Sequence, residues 1–301
     1  MGKQQVEGLA DGIACALSGR RANTAEWQAV LPRRHVDDKS KERYVRRRLA
    51  NPLISPLRVM PGFIPEMAEM AGSNGKSIML PMEQSRIADG FAGLLLSIRP
   101  GERALPLTGE VRETCASLGF ERQKPWLEAA FALLPEGASL LLRGDRFYGP
   151  AALLRWCQEQ GWGYRLRLRE NLLLPHAGGE LTTGEAAKAA LTVLPNVRLG
   201  ESGVETHIGI LQEQGHPEPW IIAMSEPPSK GRVLDDGRRA GIEPLCSDGK
   251  SRGFGITKTQ WRHPDRIERL ILVLTLALYW AASTGMPPKP SRYTPKNKPA
   301  A

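Results

Sequence analysis

The stretch SLLLRGD, residues 139–145, is an apolar run that ends abruptly in a glycine and Asp145. A short apolar run closed by a turn signal is typical of a strand buried in a sheet. Apolar residues with helical spacing precede it at Trp126–Leu134 and follow it at Ala151–Gln160. A strand between two helices predicts parallel pairing, because parallel neighbours need a long crossover connection. Asp145 is therefore expected at the carboxyl edge of a sheet.

More strands are predicted on both sides of this stretch. Upstream, Ser77–Met82, Phe91–Arg99 and Arg103–Thr108 are strand-like, with a turn at Pro100–Glu102. Downstream, Tyr164–Arg169 alternates apolar residues with arginines, which predicts a half-buried strand with one cationic face. The order β-β-β-α-β-α-β favours an α/β fold, namely an RNase H-like mixed sheet flanked by helices.

Composition shifts along the chain suggest four regions. Gly-rich turns and strand-like runs follow residue 170, whereas the end of the chain is rich in proline and basic residues. We therefore expect the following division: a basic, helical region at 1–70, a split RNase H-like domain at 71–170 and 235–285, a β-rich insertion at 171–234, and a disordered basic tail at 286–301.

Overall composition limits the classes of protein that the chain can belong to. With 41% hydrophobic and 24% charged residues it is not a mostly disordered chain. A net charge of +9 and a pI near 9.6 favour a polyanionic partner, nucleic acid or a membrane surface. The apolar stretch Leu270–Ala282 is shorter than the ~20 residues of a membrane span, so we expect a buried helix and no membrane insertion. No secretory leader is evident, and the four cysteines are scattered, which indicates a cytoplasmic protein.

The first 60 residues carry twelve basic and six acidic side chains. The segment KSKERYVRRRLAN predicts a basic helix that ends before Pro52. Its functional interpretation is contact with DNA phosphates through Arg46, Arg47 and Arg48, and the alternative is an ordinary solvated helix face. Trp261 is the candidate for a DNA-facing aromatic residue. The other tryptophans singled out are expected in the core: Trp126, Trp156, Trp162 and Trp280.

Three carboxylates stand at positions that suit metal-dependent chemistry. Glu83 follows the first predicted strand, Asp145 follows the fourth, and Glu243 lies in a later helical segment. Two Mg²⁺ ions about 3.5–4 Å apart need shared oxygen ligands to act on a phosphodiester. The alternative for each carboxylate alone is a structural cap or a surface charge.

The surroundings of Glu243 add basic residues to this pattern. Four charged residues have spacings that share one face of a helix: Asp236, Arg239, Glu243 and Lys250. An arginine and a lysine beside a metal-binding carboxylate would offset phosphate charge. An ion-paired surface helix is the alternative.

Three motifs together resemble the DDE transposases of the bacterial insertion-sequence-four family. Arg239, Glu243 and Lys250 match the family signature Tyr-x2-Arg-x3-Glu-x6-Lys. GDRFYG resembles the motif of the second aspartate, at Asp145, and LPMEQSRIADG that of the first, at Glu83. The likeness runs from about residue 33 to residue 285.

The resemblance implies a function and a set of roles. It implies nicking at transposon ends that depends on Mg²⁺, with Mn²⁺ as a substitute, and strand transfer by the freed 3′-hydroxyl. Glu83, Asp145 and Glu243 would be the catalytic metal ligands, and Arg239 and Lys250 would contact phosphates. Double-stranded DNA would be the partner, in a homodimer that forms on synapsis, near the bacterial nucleoid.

The chain departs from the family pattern at informative places. Glu83 replaces the usual first aspartate, and Asp236 replaces the signature tyrosine. The longer side chain moves the carboxylate, and metal geometry is sensitive to such a shift. One alternative is therefore a catalytically decayed or repurposed DNA-binding protein of the same fold. Another is a metal-dependent nuclease without preference for particular DNA ends.

Overall fold

The computed structural model describes residues 1–33, 35–72, 77–99, 104–114, 116, 118–145, 150–176, 179–188, 193–199, 203–212, 218–233 and 254–284. Within this part of the chain the helices are α1 Lys3–Gly19, α2 Asp38–Leu49, α3 Pro56–Val59, α4 Ile64–Gly72, α5 Phe120–Phe131, α6 Pro150–Glu159, α7 Thr183–Lys188 and α8 Pro264–Ser283. Short 3-10 helices occupy Glu26–Ala29, Met60–Gly62 and Ile256–Lys258. The strands are β1 Ile78–Ala88, β2 Phe91–Ile98, β3 Leu105–Glu113, β4 Leu140–Gly144, β5 Gly163–Arg167, β6 Leu173–His176, β7 Gly179–Thr182, β8 Val193–Leu199, β9 Val204–Leu211 and β10 Trp220–Met224.

The centre of the molecule is a mixed sheet of eight strands in the order β3-β2-β1-β4-β5-β10-β9-β8. β1, β2 and β3 form an antiparallel meander, and β4 and β5 are added parallel to β1 through the helices α5 and α6. This arrangement is the RNase H-like mixed sheet that the sequence predicts. The strand–helix order from β1 to β5 is confirmed.

β1 is longer than the sequence suggests. It continues from Ile78 through Glu83 to Ala88 and pairs with β2 up to the turn at Asp89 and Gly90. Gly90 has a φ of +78°, a conformation that glycine adopts without steric cost. The expectation that Glu83 follows the strand is therefore wrong. The strand continues because it pairs with β2, and the residues of this continuation are polar, so the hydrophobic pattern of the sequence does not reveal it.

The β-rich segment at 171–234 divides between two sheets. β10 pairs antiparallel with β5, and β9 and β8 follow it, so these three strands extend the main sheet. β6 and β7 form a separate hairpin. The segment is β-rich as predicted, and its interpretation as a domain distinct from the catalytic one stays a prediction.

α8 joins the N-terminal helices to the sheet. It packs along β3 and against α1, and its residues lie in the same hydrophobic core as Trp27 and the inner face of the sheet. Arg269, only 8% exposed, donates hydrogen bonds to the Leu49 and Ile54 carbonyls, both at 2.9 Å, which ties α8 to the end of α2. The prediction of a buried helix over Leu270–Ala282 is confirmed.

One predicted core residue of α8 is exposed instead. Trp280 is 50% exposed near the end of the helix, whereas Trp156 and Trp162 are buried and stack edge to face at 5.0 Å. The neighbouring Ala277 and Tyr279 are buried, so Trp280 falls on the solvent side of α8. The expectation of a buried Trp280 is therefore wrong.

Two further expectations concern membranes and cysteines. None of the helices among the described residues is long and apolar enough to cross a membrane. Cys15 and Cys157 are free thiols, and burial raises the pKa of each to about 12, so both stay protonated and unreactive. The predicted tail at 286–301 lies outside the described residues.

Candidate active site

Two carboxylates lie side by side at the middle of the sheet. Pro81 of β1 and Arg143 of β4 are partners in the parallel register, and Glu83 and Asp145 each follow two residues later. Because side chains alternate between the faces of a strand, these carboxylates are on one face of two strands about 4.8 Å apart. Glu83 is half-buried and Asp145 is exposed, so solvent and ligands can reach the pair.

Arginines of β5 continue this arrangement across the sheet. Arg165 pairs in register with Arg143, so Arg167, two residues later, falls in the row of Asp145. Arg143, two residues before Asp145 on the same side of β4, is only 4% exposed, and Arg165 Nη2 lies 3.5 Å from Glu226 Oε2. The side-chain row across the three strands is thus two carboxylates followed by a guanidinium. We name Glu83, Asp145 and Arg167 the carboxylate row.

Arg167 is a site residue that sequence reasoning left out. The alternation of β5 indicated a cationic face, but only the register with β4 brings that face next to Asp145. Strand register over long sequence separations is not encoded in a local pattern. The repeated arginines of β5 were visible in the sequence, but their position next to the carboxylates was not.

The third predicted carboxylate cannot be placed. Glu243, with Arg239 and Lys250, lies outside the described residues. Within the part of the chain that the structure describes, no group of three or more histidine, cysteine, aspartate or glutamate residues could hold a metal ion. The described part of the site therefore offers Glu83 and Asp145.

The three arginines of α2 differ in their surroundings. Arg46 and Arg47 are exposed, and Arg46 lies 2.7 Å from Glu42 one helical turn away. Arg48 is half-buried, with its guanidinium carbon 4.7 Å from the centre of the Tyr44 ring. Arg46 and Arg47 are placed to reach a ligand from solvent, whereas Arg48 packs inside the helical region.

Trp261 lines a polar cleft between α2 and the start of α8. Its indole Nε1 donates a hydrogen bond to Thr24 Oγ1 at 3.1 Å, and the Arg266 guanidinium lies 5.4 Å from its ring centre. The ring is partly buried against the hydrophobic core. Arg46 lines the same cleft, so the fold brings together two residues predicted independently to contact DNA.

These features define what the surface can do chemically. Carboxylate oxygens are the ligands that Mg²⁺ prefers, and guanidinium groups bind phosphate oxygens in a bidentate manner. Both kinds of group lie in one row, which runs from the middle of β1 across the ends of β4 and β5. The arrangement suits a phosphodiester more than a neutral substrate.

A comparison with known protein families matches residues 123–280 to the Transposase DDE domain. This range is more than half of the 301 residues and includes β4, Asp145, β5 and α8. The chain belongs to the DDE transposase family. The expectation of a DDE transposase is thereby confirmed, and the match begins after Glu83 in the sequence.

Other comparisons add little to this assignment of a DDE transposase. None of the curated proteins matches the chain. The crystal structure of human ENDOV is 14% identical, with a TM-score of 0.29, and the match covers 75% of this chain and 99% of that one. Marinitoga piezophila Argonaute, in complex with guide RNA and target DNA, is 10% identical with a TM-score of 0.25. That match covers 82% of this chain and 34% of the Argonaute. The fold assignment rests on the strand order.

Proposed function

We propose that this DDE transposase belongs to the insertion-sequence-four family, nicks DNA at transposon ends and transfers the freed 3′-hydroxyl to target DNA. The observation that carries the proposal is the carboxylate row, in which Glu83 of β1 and Asp145, directly after the parallel neighbour β4, each follow the last register pair, Met82 and Gly144. The family match covers the strand that presents Asp145. The proposed partner is double-stranded DNA, in the cytoplasm near the nucleoid, with a homodimer joining two ends.

The donor set of the carboxylate row fits a divalent cation. Two carboxylates on adjacent strands supply oxygen ligands from a rigid support, and Glu243 is the proposed third ligand. Mg²⁺, or Mn²⁺ in its place, supplies a Lewis acid that stabilises charge developing on the phosphodiester oxygens.

The chain's own residues do the remaining work in this proposal. Arg167 binds a non-bridging phosphate oxygen and fixes the DNA strand beside Glu83 and Asp145. The buried Arg143, two residues before Asp145 on β4, offsets the negative charge of two neighbouring carboxylates. Arg239 and Lys250 are proposed to hold phosphates beside the cut, and Arg46, Arg47 and Arg48 with Trp261 to contribute to DNA binding farther away.

A DNA-binding protein without catalysis is the second candidate. It is motivated by Glu83, which stands where the resembled family has an aspartate and carries its carboxylate on a side chain one methylene longer. The two candidates share the fold and the basic surface, so metal-dependent chemistry separates them.

The test is nicking of supercoiled plasmid, with and without transposon ends, in Mg²⁺ and in Mn²⁺. The variants are Asp145→Asn, Glu83→Asp and, as a matched control, Asp89→Asn at the exposed β1–β2 turn. We expect cutting by wild type and by Asp89→Asn, and none by Asp145→Asn. If Glu83→Asp cuts and wild type does not, the fold is intact and the metal ligand at position 83 is impaired. DNA binding without cutting by any variant, even with transposon ends present, would contradict the enzymatic proposal.

A further inference from the structure

The cleft between α2 and the start of α8 lies apart from the carboxylate row. Its volume is about 250 Å³, several times the ~30 Å³ that one water molecule occupies in the liquid. Polar and cationic side chains line most of it: Asn23, Thr24, Arg46, Gln260, Arg262 and Arg266.

Positive charge dominates this cleft. Three arginines face Glu42, the one carboxylate among its lining residues, and Glu42 is engaged by Arg46 at 2.7 Å. Arg262 is exposed, and the partly buried Arg266 also interacts electrostatically with the carboxylate of Asp265, the preceding residue, whose pKa it helps to lower. The aromatic wall holds Arg266 in place, because a guanidinium 5.4 Å from an indole ring is attracted to its face.

Hydrogen bonds connect the segments that form the walls of the cleft. Thr24 accepts the hydrogen bond from Trp261, and the Ala22 amide donates to the Phe254 carbonyl at 2.6 Å. These contacts join segments from opposite ends of the sequence into one rim. A preformed site loses less entropy on binding than one that must be ordered.

The charge continues outside the cleft along α2. Lys39, Arg43, Arg46 and Arg47 are exposed at spacings that share one face of the helix, over roughly 12 Å. A free phosphate or a single nucleotide fills only the cleft. A DNA strand presents a phosphate every ~3.4 Å along the axis, so it can contact the cleft and the stripe together.

We propose that this cleft, with the stripe along α2, is a second DNA-binding site that grips the phosphodiester backbone away from the carboxylate row. Arg262 and Arg266 bind phosphate oxygens, and Trp261 is a positioning residue for Arg266. This inference rests on the proposed function, because it assumes that DNA is the substrate. The 3-10 helix Ile256–Lys258, which packs on β1, leads directly into the cleft and links the two sites.

The experiment measures binding to a fluorescein-labelled DNA duplex by anisotropy in EDTA, over a series of salt concentrations. The variants are Arg262→Ala/Arg266→Ala, the charge-conserving Arg262→Lys/Arg266→Lys, and a control, Arg58→Ala/Arg122→Ala, that removes two exposed arginines elsewhere. Thermal unfolding of each variant verifies that it is folded.

We expect the cleft double alanine variant to lose at least about tenfold in affinity per arginine, and the slope of log affinity against log salt to flatten by about 2. The lysine variant keeps most of the slope, and the control binds as wild type does. Wild-type affinity and slope in the double alanine variant would overturn the proposal, as would an equal loss in the control. Mononucleotide and inorganic phosphate are also tested as competitors of the duplex. A mononucleotide that displaces the duplex at a concentration far below the one that inorganic phosphate requires would assign the cleft to a free nucleotide instead.

Plasmid cutting by the same proteins separates this proposal from the enzymatic one. Loss of DNA affinity in the cleft variant, with no cutting by wild type, supports the cleft and contradicts the enzyme. If the cleft variant keeps its DNA affinity and wild type cuts in a way that Asp145→Asn abolishes, the proposal for the cleft is contradicted and the enzymatic proposal stands.

Discussion

Glu83 and Asp145 are the residues that directly follow Met82 and Gly144, the last register pair of the parallel strands β1 and β4. Two carboxylates that share one ion act as a unit, so their removal is not additive. We expect Glu83→Gln and Asp145→Asn each to lower the cutting rate about a thousandfold, and the double variant to be no slower than either. Single-turnover cutting measures this. Multiplied effects in the double variant would mean that the two side chains act separately.

Arg167 follows Asp145 in the carboxylate row, and its charge should help to hold the reacting strand. We expect Arg167→Gln to slow cutting about 100-fold, because one fixed donor to a charged transition state is lost. Arg167→Lys should recover part of the rate without the bidentate contact. Cutting rates and duplex affinities measured side by side distinguish this role from a general loss of DNA binding. Equal rates for wild type and Arg167→Gln would remove Arg167 from the site.

Arg269 bonds two carbonyls and lies 2.6 Å from Asp265, so it holds three acceptors at once. Arg269→Met keeps the apolar stem but leaves these acceptors without their donor. We expect unfolding in urea to show a loss of about 3 kcal/mol. The exposed Arg58 serves as control, since Arg58→Met should change stability by less than about 0.5 kcal/mol. A similar small change at position 269 would show that water replaces the guanidinium.

Tyr44 connects α2 to α1 through its hydroxyl. The hydroxyl donates to Asp11 Oδ2 at 2.7 Å and accepts from Arg33 Nη2 at 3.0 Å, and Arg33 also stacks 4.1 Å from the ring centre. Tyr44→Phe keeps the stacking and removes the hydrogen bonds, at a cost of about 1–2 kcal/mol. Urea unfolding is the measurement, and comparison with Tyr44→Leu isolates the contribution of the ring. An unchanged stability in Tyr44→Phe would mean that stacking alone secures α2.

Glu268 accepts a hydrogen bond from the Val111 amide at 2.8 Å, which covers part of the edge strand β3. Burial raises the pKa of Glu268 above its ordinary value of 4.5, against the lowering effect of that hydrogen bond. The folded protein therefore prefers the protonated carboxyl, and its contribution to stability is lost as the pH rises from 4.5 through the raised pKa. We expect Glu268→Gln to gain stability relative to wild type over that range. A constant difference across the pH series would contradict this titration.

The order of strands from β1 to β5 follows from the sequence because each apolar run is bounded by turns or helices. The positions at which β1 and β3 end cannot be predicted in this way, because both strands continue through polar residues such as Gln84 and Glu110, which pair with β2. The membership of β8 to β10 in the main sheet depends on pairing between β5 and β10, far apart in the sequence. Local patterns carry no information on such partners.

The site was partly predictable for a similar reason. Asp145 follows a short apolar run that is typical of a buried strand, and the structure places it directly after β4. Trp261 and Arg46 were each suggested by neighbouring charges, but their meeting in one cleft depends on contacts across more than 200 residues. The roles of Glu83, Asp145, Arg46, Arg47, Arg48 and Trp261 stay predictions, as do those of Arg239, Glu243 and Lys250.

The hydrogen bonds of Arg269 reach back 215 and 220 residues along the chain, and that of Trp261 reaches back 237. Contacts over such separations form late, because a long loop must close before they stabilise anything. A ribosome releases the basic helix α2 long before it releases α8. The nascent N-terminal region therefore lacks its packing partner until α8, more than 200 residues later, has been synthesised. Early termination of synthesis would leave a basic, partly apolar fragment that needs chaperones or proteolysis.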